Sequence, residues 1–167
     1  MRLDYVMADV FTDTALAGNQ LAVFEDGDAV PVELMPALAR EIGFSETVYV
    51  GAGDHIRIFT PGEELPFAGH PVLGTAFVLA RRRGVDAVVL HTGLGPVPVA
   101  FDDRGRGTMV QPLPTIAAWD GDVDELCAAL GIAASELPVD EYVNGPHHLY
   151  VTLGDPALVA ADDGEDA

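Results

Sequence analysis

The chain has 167 residues, 49% of them apolar, which is enough for one domain with a core of its own. Its formal net charge is −19, and its eight basic residues are all Arg. Such a surface repels phosphate backbones and anionic lipid, so neither a nucleic acid nor a membrane is an expected partner. Cys127 is the sole cysteine, which rules out an intrachain disulfide or a multi-cysteine metal site and fits a reducing, cytoplasmic setting. Met1-Arg2-Leu3-Asp4 carries an early acid and no apolar run, so no signal peptide is read there. The largely apolar stretch 72–80 is too short to span a bilayer.

Residues 5–11 read as a strand closed by the turn signal Thr12-Asp13-Thr14. Gly18-Asn19 reads as a tight turn into a second strand, 20–24. Residues 31–42 carry apolar side chains at Leu34, Leu38 and Ile42, a spacing of four, with Gly43 as a stop signal, and so predict a helix. Pro36 delays its regular start. Residues 46–50 and 55–60 are two strands about Gly51-Ala52-Gly53-Asp54, a hairpin signal.

Residues 61–69 read as a loop. His70-Pro71 opens a helix to Arg83, with Pro71 suited to the first helical position and Gly84 to the stop. Val72, Leu73, Ala76, Phe77, Val78, Leu79 and Ala80 cover every face of that helix, which predicts burial all round. Short strands follow at 87–91, 97–101 and 107–111, ending at Pro112-Leu113-Pro114. Many short strands around one apolar helix give an α+β fold. Either a barrel-like sheet curls round a central helix, or helices and sheet form a plain sandwich.

The character changes after Pro114. Residues 122–131 predict an amphipathic helix and 148–153 a further strand; residues 162–166 are an acidic run expected to be disordered. Domain organisation is therefore read as 1–114, a first lobe; 115–155, a segment too small to bury its own core; and 156–167, a flexible acidic tail.

Three short blocks could carry chemistry. In the run 64–71, a Gly at a helix entry admits a ligand close to the backbone. The first turn offers free N–H groups and the positive end of the helix dipole, and His70 adds a proton carrier. Read alone, Gly69-His70-Pro71 is also an ordinary capping turn. Glu46 stands at the start of an apolar strand, where burial would raise its pKa and suit it to proton transfer; on a wet sheet rim it would do nothing. Asn19 is either turn chemistry or an amide reaching into a cleft. His147-His148 would point to opposite faces of a strand and cannot share one metal, so no metal is expected.

Taken together, residues 18–24, 44–50, and 59–61 with 64–76 resemble, in order and spacing, the N-terminal signature of the PhzF family, within the diaminopimelate-epimerase-like superfamily. The resemblance spans about residues 3–155. It implies a lobe in which a curled, mostly antiparallel sheet surrounds a buried central helix, with the active site between two such lobes. It implies a cofactor-independent isomerase of the kind that converts dihydro-3-hydroxyanthranilate in phenazine biosynthesis, with Glu46 as general acid/base. His70 and Gly69 would bind or protonate the substrate, with Asn19, Ser45 and Pro71 lining the cleft. Related racemases carry a catalytic Cys just before the helix-entry Gly; here Ala68 stands there, so carboxylate chemistry is the expectation.

Family members are longer, and their second lobe carries a Glu-Asp-Pro-x-Thr-Gly-Ser-Ala block that is absent here; residues 122–153 resemble only the start of that lobe. Three readings follow. The chain is an isomerase of a small carboxylate; or a non-catalytic binding or partner subunit of a split enzyme; or an epimerase or dehydratase of small amino acids. Apolar residues in 115–155 lack covering sequence, so a homodimer or a complementary chain is expected.

Overall fold

The computed structural model of the protein describes residues 2–160. The chain divides into two compact units, 1–112 and 113–167.

In the first unit, β1 (Val6–Val10), β2 (Asn19–Phe24), β3 (Glu46–Val50), β4 (Ile56–Phe59) and β5 (Glu64–Leu65) form one sheet in chain order. All neighbours pair antiparallel except β2 and β3, which run parallel with Leu21 opposite Glu46. The parallel step needs a crossover, and α1 (Met35–Ile42) supplies it. Its regular part starts at Met35, close to Pro36 as the sequence suggested. Residues Val32–Leu34 form a 3-10 turn, because Pro36 lacks an N–H and is tolerated only in the first helical turn. Gly43 closes α1 with φ +72°.

The sheet is apolar on both faces. Leu21, Val23, Val48, Val50, Ile56 and Ile58 face one core, while Phe24, Tyr49 and Phe59 face Met35 and Ala39 of α1 on the other. Strands buried on both sides lose the apolar/polar alternation, which is why 20–24 and 46–50 read as continuous apolar runs.

The helix α2 (Gly69–Arg83) packs on the first face of this sheet and on a second, antiparallel sheet of β6 (Ala87–Thr92), β7 (Gly95–Phe101) and β8 (Gly107–Met109). Val72, Ala76, Leu79 and Ala80 of α2 share one core with Val88, Leu90, Val97 and Val99. A bridge between His55 and His91 links the two sheets. The expected curl of short strands around a central helix is therefore present. Gly74 sets its closeness: a Cβ there would come within 2.6 Å of Val10 and 2.7 Å of Leu21. An added methyl would force the buried Val10 and Leu21 side chains to repack, which opposes any gain in helix propensity.

Burial all round α2 is not what the structure shows. Phe77 is 37% exposed, and Leu73 and Val78 are only half-buried. A groove of about 980 Å³ runs along this side, lined by Met7, Leu73, Phe77, Arg81 and Phe101 among others. The reason is topological. β1 and β8 are the edges of their sheets, and no described strand of this unit bridges them. Pro71 also lies deeper in the first turn than expected, because α2 begins at Gly69.

The second unit is a three-stranded antiparallel sheet, β9 (Thr115–Ala118), β10 (Asp140–Val143) and β11 (His147–Tyr150), ordered β11-β10-β9, with α3 (Val123–Ala129) and α4 (Pro156–Ala160). Asp122 caps α3 by accepting the Glu125 N–H at 3.0 Å. β9 and β10 were not legible in the sequence: each is four residues long, and Asp140 and Glu141 spoil an apolar period in β10. The predicted strand at 148–153 lies earlier, at His147–Tyr150, and α4 occupies part of the expected tail. The acidic run 162–166 lies outside the described residues. In the described part of this unit the buried apolar residues are Cys127 and Val139, while Ile116, Leu137 and Tyr150 are more than half exposed. No described helix is long and apolar enough to cross a membrane.

Tyr49 offers a direct test of the second core. It is 1% exposed, its hydroxyl donates to the Met35 carbonyl at 2.9 Å, and its ring stacks on Phe24 at 4.9 Å. Burial pushes its pKa from 10.0 up to about 12. A pKa raised by folding contributes stability that is present below the unfolded value and lost as pH rises through the folded one. Tyr49→Phe is expected to cost about 1 kcal/mol at neutral pH. It should also flatten the loss of stability between pH 10.0 and about 12, as read by urea melts across that window.

Candidate active site

The N-terminal ends of the parallel pair β2 and β3 lie beside the N-terminus of α2. That juxtaposition follows from the burial of α2 against the first sheet, and it brings Glu46 and His70 together. The His70 Nδ1 is 2.9 Å from the Glu46 Oε2, with the two side chains 9% and 16% exposed. The distance is that of an ion pair, although the angle is poor enough that Oε2 has no well-aligned hydrogen-bond partner. The His70 Nε2 is likewise buried without a partner. A mostly buried carboxylate and imidazole with hydrogen-bonding capacity to spare can hold and pass a proton.

Desolvation is the largest single influence on the Glu46 carboxyl and pushes its pKa up. The His70 imidazole set 2.9 Å from the carboxyl, with help from the Ser45 hydroxyl, outweighs it and leaves the pKa below the ordinary 4.5. This corrects the expectation of a raised value. The sequence showed apolar neighbours but not the imidazole that the fold sets against the carboxyl. In its resting state Glu46 is thus ionised at neutral pH, the form that accepts a proton.

Asn19 and Ser45 flank the pair at the mouths of β2 and β3, and the Ser45 hydroxyl donates to the Asn19 Oδ1 at 2.6 Å. That bond occupies the amide oxygen, so the amide N–H₂ is the donor left for another partner. Ala68 is the N-cap of α2, and no side chain caps the helix there. The first amides, from Gly69 onward, are therefore without a side-chain partner at the positive end of the dipole. Met109 and Gln111 border this entry: a Cβ at Gly69 would make ordinary contact with the Met109 Cε at 3.5 Å and the Gln111 Oε1 at 3.7 Å. Pro71, next to His70 in the first turn of α2, is buried.

Two neighbours were missed in the sequence. Gln111 reaches the helix entry, and the Phe11 ring lies 6.1 Å from the His70 ring. Nothing local signals Gln111, which comes from a strand-end loop far along the chain. Phe11 was read only as the end of a strand. The groove along α2 touches Phe11 but not Glu46 or His70. Among the described residues no cluster of three or more His, Cys, Asp or Glu could hold a metal ion. In the second unit the exposed His147 instead pairs with Glu141 at 2.8 Å.

A curled α+β lobe around a helix, with a carboxylate–imidazole pair at the helix entry, defines the epimerase-like class of fold. Solved structures agree. A PhzF-family phenazine biosynthesis protein of Bacillus anthracis matches with TM-score 0.76 and 25% identity, over 95% of this chain and 58% of that one. A predicted epimerase from Pseudomonas aeruginosa matches with TM-score 0.80 and 32% identity, over 95% and 62% respectively. The chain belongs to the PhzC-PhzF family, described as phenazine biosynthesis-like proteins, whose sequence model matches residues 8–162. The trans-2,3-dihydro-3-hydroxyanthranilate isomerase of P. aeruginosa is 43% identical over 94% of the chain. The chain spans 59% of that relative's length.

The pair makes a titration prediction. In His70→Leu the desolvation of Glu46 loses its main opponent, so the carboxyl pKa should move up, as followed by carbon-13 NMR of labelled glutamate. A pKa depressed by folding contributes stability that is present above the unfolded value and lost as pH falls through the folded one. Glu46→Gln should therefore lessen the loss of stability on acidification below 4.5.

Proposed function

We propose that this chain carries the acid/base half of a cofactor-independent isomerase that moves a proton within a small carboxylated ring of the dihydro-hydroxyanthranilate type. The observation that carries this reading is the largely buried contact of Glu46 with His70 beside an uncapped helix entry. The 43% identity to a named isomerase supports the reaction class.

The substrate carboxylate would sit on the first amides of α2 and the Asn19 amide. The Glu46 carboxylate would accept a proton from a ring carbon. The C–H electron pair would pass into the conjugated system, with the developing negative charge held by the helix-entry amides and His70. Glu46 would return the same proton to another carbon, so no atom is gained or lost. The cytoplasmic setting expected from the sequence belongs to the same proposal. On purified chain given dihydro-3-hydroxyanthranilate, Glu46→Gln should lower kcat by about 100- to 10,000-fold, the usual contribution of a positioned acid/base. Turnover left intact by that substitution would overturn the role given to Glu46.

A second reading has its own support in the apolar side chains that the second unit leaves exposed. Under it, the chain acts as one component of a two-chain enzyme, or as a homodimer. The exposed Ile116, Leu137, Leu149 and Tyr150 support such an assembly. At about 25 cal/mol per Å², several wet apolar side chains cost several kcal/mol, comparable with a small domain's stability. Light scattering and sedimentation at micromolar concentration should show a species larger than 17.6 kDa. A well-folded monomer would exclude the homodimer. Epimerisation or dehydration of an amino acid, the remaining alternative, would show as deuterium exchange at the substrate α-carbon.

A further inference from the structure

Phe11 is an anomaly in three respects. It is 73% exposed, unusual for a large aromatic side chain directly after a strand. Its φ is +65°, in the left-handed region that a bulky residue avoids. Its ring nevertheless lies against His70, 6.1 Å between centroids and tilted by 47°. A residue that buries little and strains the backbone is not kept in place by the needs of the core. Its surroundings hold it rigidly. Asp9 accepts the Leu16 N–H at 2.7 Å, and the Thr12 hydroxyl both accepts the Thr14 N–H and donates to the Thr14 carbonyl, each at 3.0 Å. Gly18 lets the loop fold back: a Cβ there would meet the Val10 carbonyl and the Thr12 methyl at 2.6 Å each. Strain held by an over-determined loop beside a reactive pair is the pattern of a functional site.

We propose that Phe11 is a specificity-determining residue: its ring is the wall on which a flat, unsaturated ring carboxylate stacks while its carboxylate is held at the α2 entry. This rests on the reading of Glu46 and His70 as the active site. The chemistry suits the position. An aromatic face prefers an offset or tilted aromatic or conjugated partner over a puckered saturated ring. A planar substrate lying on Phe11 would present a ring carbon toward the side where Glu46 and His70 meet. The loop, held by Asp9 and Thr12, presets that plane before the substrate arrives.

The test uses two carboxylates of equal ring size, benzoate and cyclohexanecarboxylate. Binding to the full chain is followed by the His70 imidazole signals in NMR, assigned with His70→Leu. The wild-type chain should bind benzoate about 2- to 10-fold more tightly than cyclohexanecarboxylate, the range that aromatic pairing contributes. In Phe11→Asn the ratio should fall to about one, and in Phe11→Trp the preference should remain. Asn tolerates φ +65°, so the melting temperature of Phe11→Asn should stay level or rise. An unchanged ratio in Phe11→Asn, or a fall of several degrees in its melting temperature, would show a packing residue and overturn the proposal while leaving the Glu46–His70 site intact. If neither acid moves the His70 signals in the wild-type chain, the carboxylate site itself is wrong and the proposal falls with it.

Discussion

The close seating of α2 on the first sheet is the constraint from which the rest of the first unit follows. Gly74 leaves room for the Val10 and Leu21 side chains of β1 and β2 to pack directly on the helix backbone. Val72, Ala76 and Leu79 interlock with Leu21, Val23, Val48 and Ile58 in one core, and each buried Val or Leu contributes about 1.5–3 kcal/mol. The second sheet then closes over another side of the helix through Leu90, Val97 and Val99. A helix held on both sides has no freedom to slide, so its first turn is fixed relative to the strand mouths.

That rigidity is what makes the carboxylate–imidazole contact useful. Two opposing effects act on Glu46: loss of water, which favours the neutral acid, and the imidazole at 2.9 Å with the Ser45 hydroxyl, which favours the anion. The second wins, so the resting group is a base. The nearby polar groups leave donors for another partner: Ser45 occupies the Asn19 carbonyl oxygen, and Ala68 leaves the helix entry uncapped.

The two units differ in how far their own residues satisfy them. The first has two cores, one on each face of its main sheet. The second has Cys127 and Val139 as its buried apolar residues among those described, with large apolar side chains left in water. The open side of α2, between the edges β1 and β8, is a smaller case of the same condition. In both places apolar side chains are left exposed among the described residues.

The sequence by itself determined the periodic and punctuated features. These are the strands at 46–50 and 87–91, the long helix stopped at Gly84, the turn at Gly51–Asp54, and the three blocks around Asn19, Glu46 and His70 that mark the family. These are local: a period, a glycine at positive φ or a proline in a first turn acts within a few residues. What only the tertiary structure decided is which groups meet. β9 and β10 exist because partners pair with them, not because their own four residues insist on it. The side of α2 left open depends on where two sheets happen to end. The lowered pKa of Glu46 depends on an imidazole 24 positions away, and the place of Phe11 beside His70 on a strained turn that no composition rule announces. Proton affinity is set by neighbours in space, and a linear sequence states neighbours only along the chain.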